Sequence, residues 1–348
     1  MNHSTDNNLS NENKIKNKGP FGAMMILIFG TLTLIFGLGL SISFGAASID
    51  LTTVWQAIFA FDADITDHQI IQEVRLPRAL GSVLIGAFLA VSGAIMQGMT
   101  RNPLASPAIL GVTDGAAFAI AIAFAFFPGM SYLGLMGWSF AGAGLGAMLV
   151  FGIGAFAKGG VTPVKLALAG VAVGAMLSSF SSAIAIHFRV AQDMSFWFAG
   201  GLAGVQWISV QLLVIAAIVG LGLALLISRS ITILSLGEEV SKGLGQKTVV
   251  VKTAGIIVVL LLTGAAVSVA GRIGFIGLVI PHITRFLTGV DYRWIIPCSA
   301  ILGALLLVLA DLGARMVNAP YETPVGAITA LIGIPFFLYL ARQEGRGL

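Results

Sequence analysis

Apolar runs of about 20 residues recur along this chain, and that length leaves few folds open to it. They fall near residues 22–44, 79–98, 106–127, 133–157, 163–187, 208–228, 250–270, 274–288, 294–316 and 325–342. A run of ~20 residues at ~1.5 Å per residue crosses the ~30 Å hydrocarbon core as a helix. Hydrocarbon offers no partner for backbone polar groups, so only helices and closed barrels can span it. These runs lack the period-two alternation of barrel strands. The chain therefore reads as an all-α polytopic membrane protein with about ten transmembrane helices. Composition agrees: 57% of residues are hydrophobic, 10% are charged, and 44 glycines would let helices approach closely.

The first run is too long for a signal-peptide core and reads as a retained span. Residues 1–20 are polar, rich in Asn and Lys, and read as a disordered cytoplasmic tail. Residues 21–348 then form a single transmembrane domain, with no soluble domain attached. One cysteine, Cys298, excludes an internal disulfide or a cysteine-based metal cluster. The histidines His3, His68, His187 and His282 show no metal-ligand spacing. The net charge of +4 reads as membrane topology, with no nucleic-acid partner implied.

Charge bias orients the spans. With the N-terminus inside, 14 of the 19 Lys and Arg fall on the cytoplasmic side, leaving Arg75, Arg78, Arg189, Arg272 and Arg315 outside. This positive-inside bias places both termini in the cytoplasm, together with the loop at 229–252. That loop carries Glu238, Glu239, Lys242, Lys247 and Lys252, interleaved with Ile233, Leu234, Leu236, Val240 and Leu244 at helical spacing. Each charge would cost ~2.5–3.5 kcal/mol at the bilayer centre, so the segment must lie in water at a membrane face. It is either a solvated connector resting on the bilayer or a docking surface for a soluble partner.

The outer arginines carry two readings as well. Arg75 and Arg78 bracket Pro77, and Arg315 lies one helical turn after Asp311. Either they snorkel to lipid headgroups, with Arg315 and Asp311 as an i,i+4 pair, or they present guanidinium forks to carboxylates on a docked protein. Two breaks recur at the inner face: Asn102-Pro103-Leu104, and Gly274 to Arg285, where Gly277 and Pro281 beside His282 suggest a broken helix. Gly243 to Thr248 is not a phosphate loop, because Gln246 stands where a glycine must precede the lysine. Asp114 and Asp311 are the acids well inside predicted spans; helix packing or capping suits them better than a proton relay. No catalytic pattern is present.

Taken together, these motifs resemble the FecCD family, the permease subunits of ATP-binding-cassette importers for iron-siderophores and cobalamin. The resemblance covers residues 22–342. It rests on Arg75-Leu-Pro-Arg78, Gly93 to Gln97, Asn102 to Ala105, Leu110-Gly-Val112, Leu236-Gly-Glu238 with Gly245, Gly274 to His282 with Arg285, and Ala310-Asp311 with Arg315. The resemblance implies a type II importer permease fold in the bacterial cytoplasmic membrane. It implies a coupling helix at Leu236, Gly237, Glu238, Glu239, Lys242 and Gly245, seated in a separate ATPase. It further implies binding-protein docking at Arg75, Arg78 and Arg315, a cytoplasmic gate at Asn102, Pro103 and Leu104, and an outer gate near Phe196 and Trp197, whose aromatics also read as an interfacial belt, the commoner use of Trp at that depth.

The implied partners are a second permease subunit, two ATPase subunits, an extracellular or periplasmic substrate-binding protein, and membrane lipid. No cofactor is implied for this chain; ATP and Mg belong to the ATPase, and the permease is not itself an enzyme. A ferric siderophore is the implied cargo, with cobalamin or haem as the alternative. An ion-coupled secondary transporter, or a receptor without transport, are rivals from other classes. The first needs coupling carboxylates or cation-binding breaks near the midplane.

Overall fold

The structure, a computed structural model, describes residues 18–45, 49–156, 163–319 and 321–344. The tail expected to be disordered lies outside the described residues over 1–17, and Lys158 and Arg346 do too. Among the described residues all regular structure is helical. Helix α1 (Lys18–Met25) continues through a π-turn into α2 (Thr31–Ser43). Two short helices follow, α3 (Leu51–Phe59) and α4 (Thr66–Ile70), and a second π-turn leads into α5 (Leu76–Thr100). The chain continues as α6 (Val112–Phe126), α7 (Tyr132–Phe156), α8 (Pro163–His187), α9 (Ala191–Gly200) and α10 (Trp207–Ser235). It ends with α11 (Glu238–Gly243), α12 (Thr248–Ala270), α13 (Ile276–Thr288), α14 (Tyr292–Met316) and α15 (Val325–Glu344).

Seven of these segments are long and apolar enough to cross a membrane, and three shorter apolar helices (α6, α13 and the apolar part of α15) stand where the third, eighth and tenth spans are expected. The polar loop is shorter than the charge pattern suggests. Helix α10 runs seven residues past 228 because Ile231 and Leu234 stay buried against the bundle, so the loop proper begins at Leu236. The third span starts later than expected, because Ser106-Pro107 first makes a 3-10 turn that ends at Gly111 with φ 70°.

Helix α5 is the centre of the bundle. Ile85, Phe88, Ala90, Val91, Ala94 and Ile95 are fully buried, and α10, α12, α13 and α14 all pack on it. Glycines decide how closely. A β-carbon on Gly93 would overlap the backbone of Gly277 in α13, and one on Gly86 would overlap the backbone of Gly303 in α14. With no hydrophobic force between helices in lipid, such backbone contact supplies the dispersion that holds them together.

The break near Pro281 is not where the sequence suggests. Pro281 sits inside α13, and the irregular backbone is displaced to residues 271–275, between Gly271 (φ 64°) and Phe275 (φ 68°). Proline removes the N–H that would bond the carbonyl four residues earlier, on Gly277. Gln97, buried on α5, replaces it: its amide Nε2 donates to Gly277 O at 3.3 Å and Leu278 O at 3.2 Å. The helix survives the proline because a side chain from the neighbouring helix supplies the donor.

Gly93→Ala should lower the stability of the purified protein by ~1–3 kcal/mol through overpacking, while Gly222→Ala, with open space at its α-carbon, should be neutral or stabilising. Thermal unfolding in detergent checks the pair.

Candidate functional site

The polar loop is built to hold an apolar stripe in water. Gly237 adopts φ 129°, a backbone open to glycine, and this turns the chain sharply out of α10 into α11. Ser241 Oγ donates back to Ile233 O at 3.0 Å and Gly237 O at 2.8 Å, and Gln246 Nε2 donates to Ser230 O at 3.0 Å. The loop is thus pinned to the end of α10. Glu238 pins the other side, accepting from Lys252 Nζ of α12 at 2.6 Å and pairing with Lys242 at 3.2 Å. The hydrogen bonds from Lys252 and Lys242 hold its carboxyl below the ordinary carboxylate value. Leu236, Val240 and Leu244, spaced four apart, remain 59%, 49% and 65% exposed. An apolar row this exposed on a polar loop is a patch that can rest on a bilayer or bind a partner.

The same end of the bundle gathers residues that lie far apart in sequence. A cavity of about 300 Å³ is lined by Gln97, Arg101, Asn102, Pro103, Leu236, Arg285 and Tyr292. It joins the Asn-Pro turn, the root of the polar loop and the last turn of α13. Asn102 Oδ1 accepts from Leu104 N at 2.9 Å, which fixes the turn, and Arg101 enters it in the left-handed region at φ 52°. Glu239, Lys242 and Gly245 line no part of this cavity. His282 packs edge-on against Phe336 of α15 instead of facing it.

At the opposite end, Arg75, Arg78 and Arg315 turn inward, which neither the snorkelling nor the outward-fork reading anticipated. Their exposures are 9%, 8% and 7%. Arg78 binds both oxygens of buried Asp311 at 2.9–3.1 Å and Glu322 Oε1 at 2.6 Å. Arg315 pairs with Asp311 at 3.2 Å and donates to Ser41 O, Ser41 Oγ and Phe44 O. Arg75 Nη1 donates to Ile42 O and Ser43 O. The physical reason is the end of α2: its last carbonyls lack partners within the helix, and buried cations satisfy them. The i,i+4 reading of Asp311 and Arg315 describes one edge of this larger cluster.

Besides Arg78–Asp311 and Glu238–Lys252, sequence reasoning missed an ion pair on the third span. Arg272 Nη2 lies 2.8 Å from Asp114 Oδ1, and the guanidinium sits 5.8 Å from the centre of the Phe198 ring. Arg272 was expected at the outer surface; its side chain instead turns inward to Asp114 in the first turn of α6. The signal was available as an acid inside the third span and an arginine at the mouth of the short eighth. Phe196 and Trp197 stand on α9 as expected of a short helix there; Phe196 is exposed and Trp197 packs against Tyr132.

The model of the FecCD transport family matches residues 33–343. The chain belongs to the FecCD transport family. It is 66% identical to the iron(3+)-hydroxamate import system permease protein FhuB of Bacillus subtilis (strain 168), over 94% of this chain and 85% of that one. It is 47% identical to the iron-uptake system permease protein FeuB of the same organism, over 92% and 96%. A cobalamin import system permease protein, BtuC of Halobacterium salinarum, is 40% identical over 84% and 79%. A metal-chelate type ABC transporter solved in an inward-facing conformation superposes with a TM-score of 0.80 at 31% identity, covering 91% of this chain and 99% of that chain. The FecCD match therefore spans the polar loop, the Asn-Pro turn and the buried arginine cluster alike, and the chain is a multi-pass permease of the bacterial membrane.

Asp311→Asn would leave Arg78 and Arg315 buried without their shared counter-charge, a loss of ~3–5 kcal/mol. Its yield of folded protein in membranes should fall sharply, and thermal unfolding of the purified variant measures the rest. Because the Glu238 carboxyl is held low, the tether from α11 to α12 should be complete at neutral pH and lost as pH falls through that lowered value. Protection of the α11 amides, with the intrinsic pH dependence of exchange divided out, should fall only in acid below the usual carboxylate range near pH ~4, and Glu238→Gln should abolish that fall.

Proposed function

We propose that this chain is the membrane-spanning subunit of an ATP-binding-cassette importer and passes a ferric siderophore of the hydroxamate class into the cytoplasm. The observation that carries the reading is the exposed row Leu236, Val240 and Leu244, held rigidly on a Glu238–Lys252 tether at the end of the bundle that also holds the Asn-Pro turn. The 66% identity to an iron(3+)-hydroxamate permease supports the cargo. The permease carries no catalytic group; a separate ATPase hydrolyses ATP with Mg. Two such chains would surround a central path, with two ATPase subunits on the polar-loop face. That face, and both termini, lie in the cytoplasm, as the charge bias requires.

ATP-driven closure of the ATPases would move α11 as a rigid body. Ser241, Gln246 and Glu238 tie α11 to α10 and α12, so its displacement reaches the helices that pack on α5. Asn102, Pro103 and Leu104 would narrow the path at the cytoplasmic end, beside the same cavity. Phe196 and Trp197 would stand at its outer mouth. The substrate-binding protein would meet the opposite face. There Arg78 is already occupied, and Glu322, with its side chain 48% exposed, is the carboxylate an incoming acid would have to replace.

Cells lacking the gene and cells restored with it, supplied with radiolabelled iron on a panel of chelates, test the cargo. Loss and rescue confined to hydroxamate chelates is the expected result; unchanged iron uptake, with cobalamin or haem uptake lost instead, would move the reading to those cargoes. Replacing Leu236, Val240 and Leu244 together with aspartate should reduce co-purification of the ATPase by on the order of tenfold or more. Intact co-purification would remove the docking role from this row.

A further inference from the structure

The Asp114 carboxylate lies at the middle of the bundle, where three contacts fix its depth, and Arg272 reaches it from the end that carries α9 and the first turn of α15. A cavity of about 270 Å³ beside the pair is also lined by Leu89, near the midpoint of α5. A β-carbon on Gly174, near the midpoint of α8, would come within 2.6 Å of Asp114 Oδ2. Gly115, next to Asp114, packs on Gly142 and Gly146 in the middle of α7. Yet the side chains of Arg272 and Asp114 are 48% and 27% exposed. A half-exposed charge at this depth cannot face hydrocarbon and must face a water-filled path or another protein surface.

The surroundings favour a path. Two cavities meet at Arg272. The first contains Ser106, Thr113, Asp114 and Thr263; the second, of about 340 Å³, contains Ser178, Ser181, Ser182 and Ser195. Thr263, beside the first cavity, is 3% exposed, and its buried Oγ1 has no hydrogen-bond partner among the described residues. An orphaned buried hydroxyl costs ~1–3 kcal/mol unless something transient satisfies it. Among the described residues, Arg272 commits one N–H to Asp114 and lays its face on Phe198, which leaves most of its five donors unused.

We infer that Arg272, positioned by Asp114 and Phe198, is a cargo-contact residue between the outer mouth and the midpoint of the translocation path and receives the oxygen-rich face of a ferric chelate. Asp114 has a second effect. It cancels part of the guanidinium charge, so a cargo oxygen is drawn in but not trapped, as passage through a multi-site path requires. The inference rests on the transport reading above and adds the residue at which cargo chemistry is sensed.

The test uses the full importer, with its ATPase and binding protein, in membrane vesicles. Arg272→Cys should react with a charged, water-borne thiol reagent, as an Asp64→Cys control in an exposed loop does, since native Cys298 is fully buried. A ferric trihydroxamate delivered by the binding protein should slow that reaction. An Arg272→Cys variant that stays unlabelled in the assembled complex would mean the pair is sealed against another subunit, and would overturn the inference. Arg272→Gln should lower turnover by on the order of tenfold for a ferric trihydroxamate carrying a pendant carboxylate, and least for the same chelate carrying an ammonium. Equal loss across both chelates, with poor complex yield, would mark a purely structural pair and overturn it too. If wild type imports neither chelate, the cargo reading fails, while thiol labelling still decides whether Arg272 faces a path.

Discussion

Backbone-to-backbone contact along α5 is the constraint on which the rest of the structure depends. In lipid, neighbouring helices gain nothing from excluding hydrocarbon, so cohesion comes from close packing and from polar groups satisfied across the seam. Gly86 and Gly93 let α14 and α13 approach until only backbone separates them. Once α13 lies that close, Gln97 can reach the carbonyl left open by Pro281, and the helix tolerates its proline. Shortening α13 to Ile276–Thr288 then leaves residues 271–275 irregular, and from there Arg272 reaches Asp114.

The two ends of the bundle solve opposite electrostatic problems. At one end, buried guanidinium groups close the open carbonyls at the end of α2 and share Asp311, which stitches the first span to α5 and α14. At the other, Glu238 and its two lysines stay in water and hold an apolar row outward. Charge confers rigidity in both places. A rigid loop on a rigid bundle suits a subunit that must convert motion in a partner into a change of access across the membrane.

Much of this was legible in the sequence. Span number and the position of the polar loop follow from run length and from the high free-energy cost of charge in hydrocarbon. Individual residues were less legible. The inward turn of Arg75, Arg78 and Arg315 depends on where α2 ends, which no local pattern states. Pro281 marks a break in sequence but not in space, because the compensating Gln97 is 184 residues away. Asp114 and Arg272 are 158 residues apart, and charge counting assigned the arginine to the surface. In each case a long-range partner, invisible to periodicity, set the outcome.

The central claim is that transport through this chain is driven by ATP acting on the polar loop. The most direct measurement is iron-chelate uptake into proteoliposomes containing the assembled complex, with ATP and the proton gradient controlled separately. Uptake that requires ATP and survives a proton ionophore is the predicted result. Uptake that persists without ATP and collapses with the ionophore would contradict the account and identify an ion-coupled carrier.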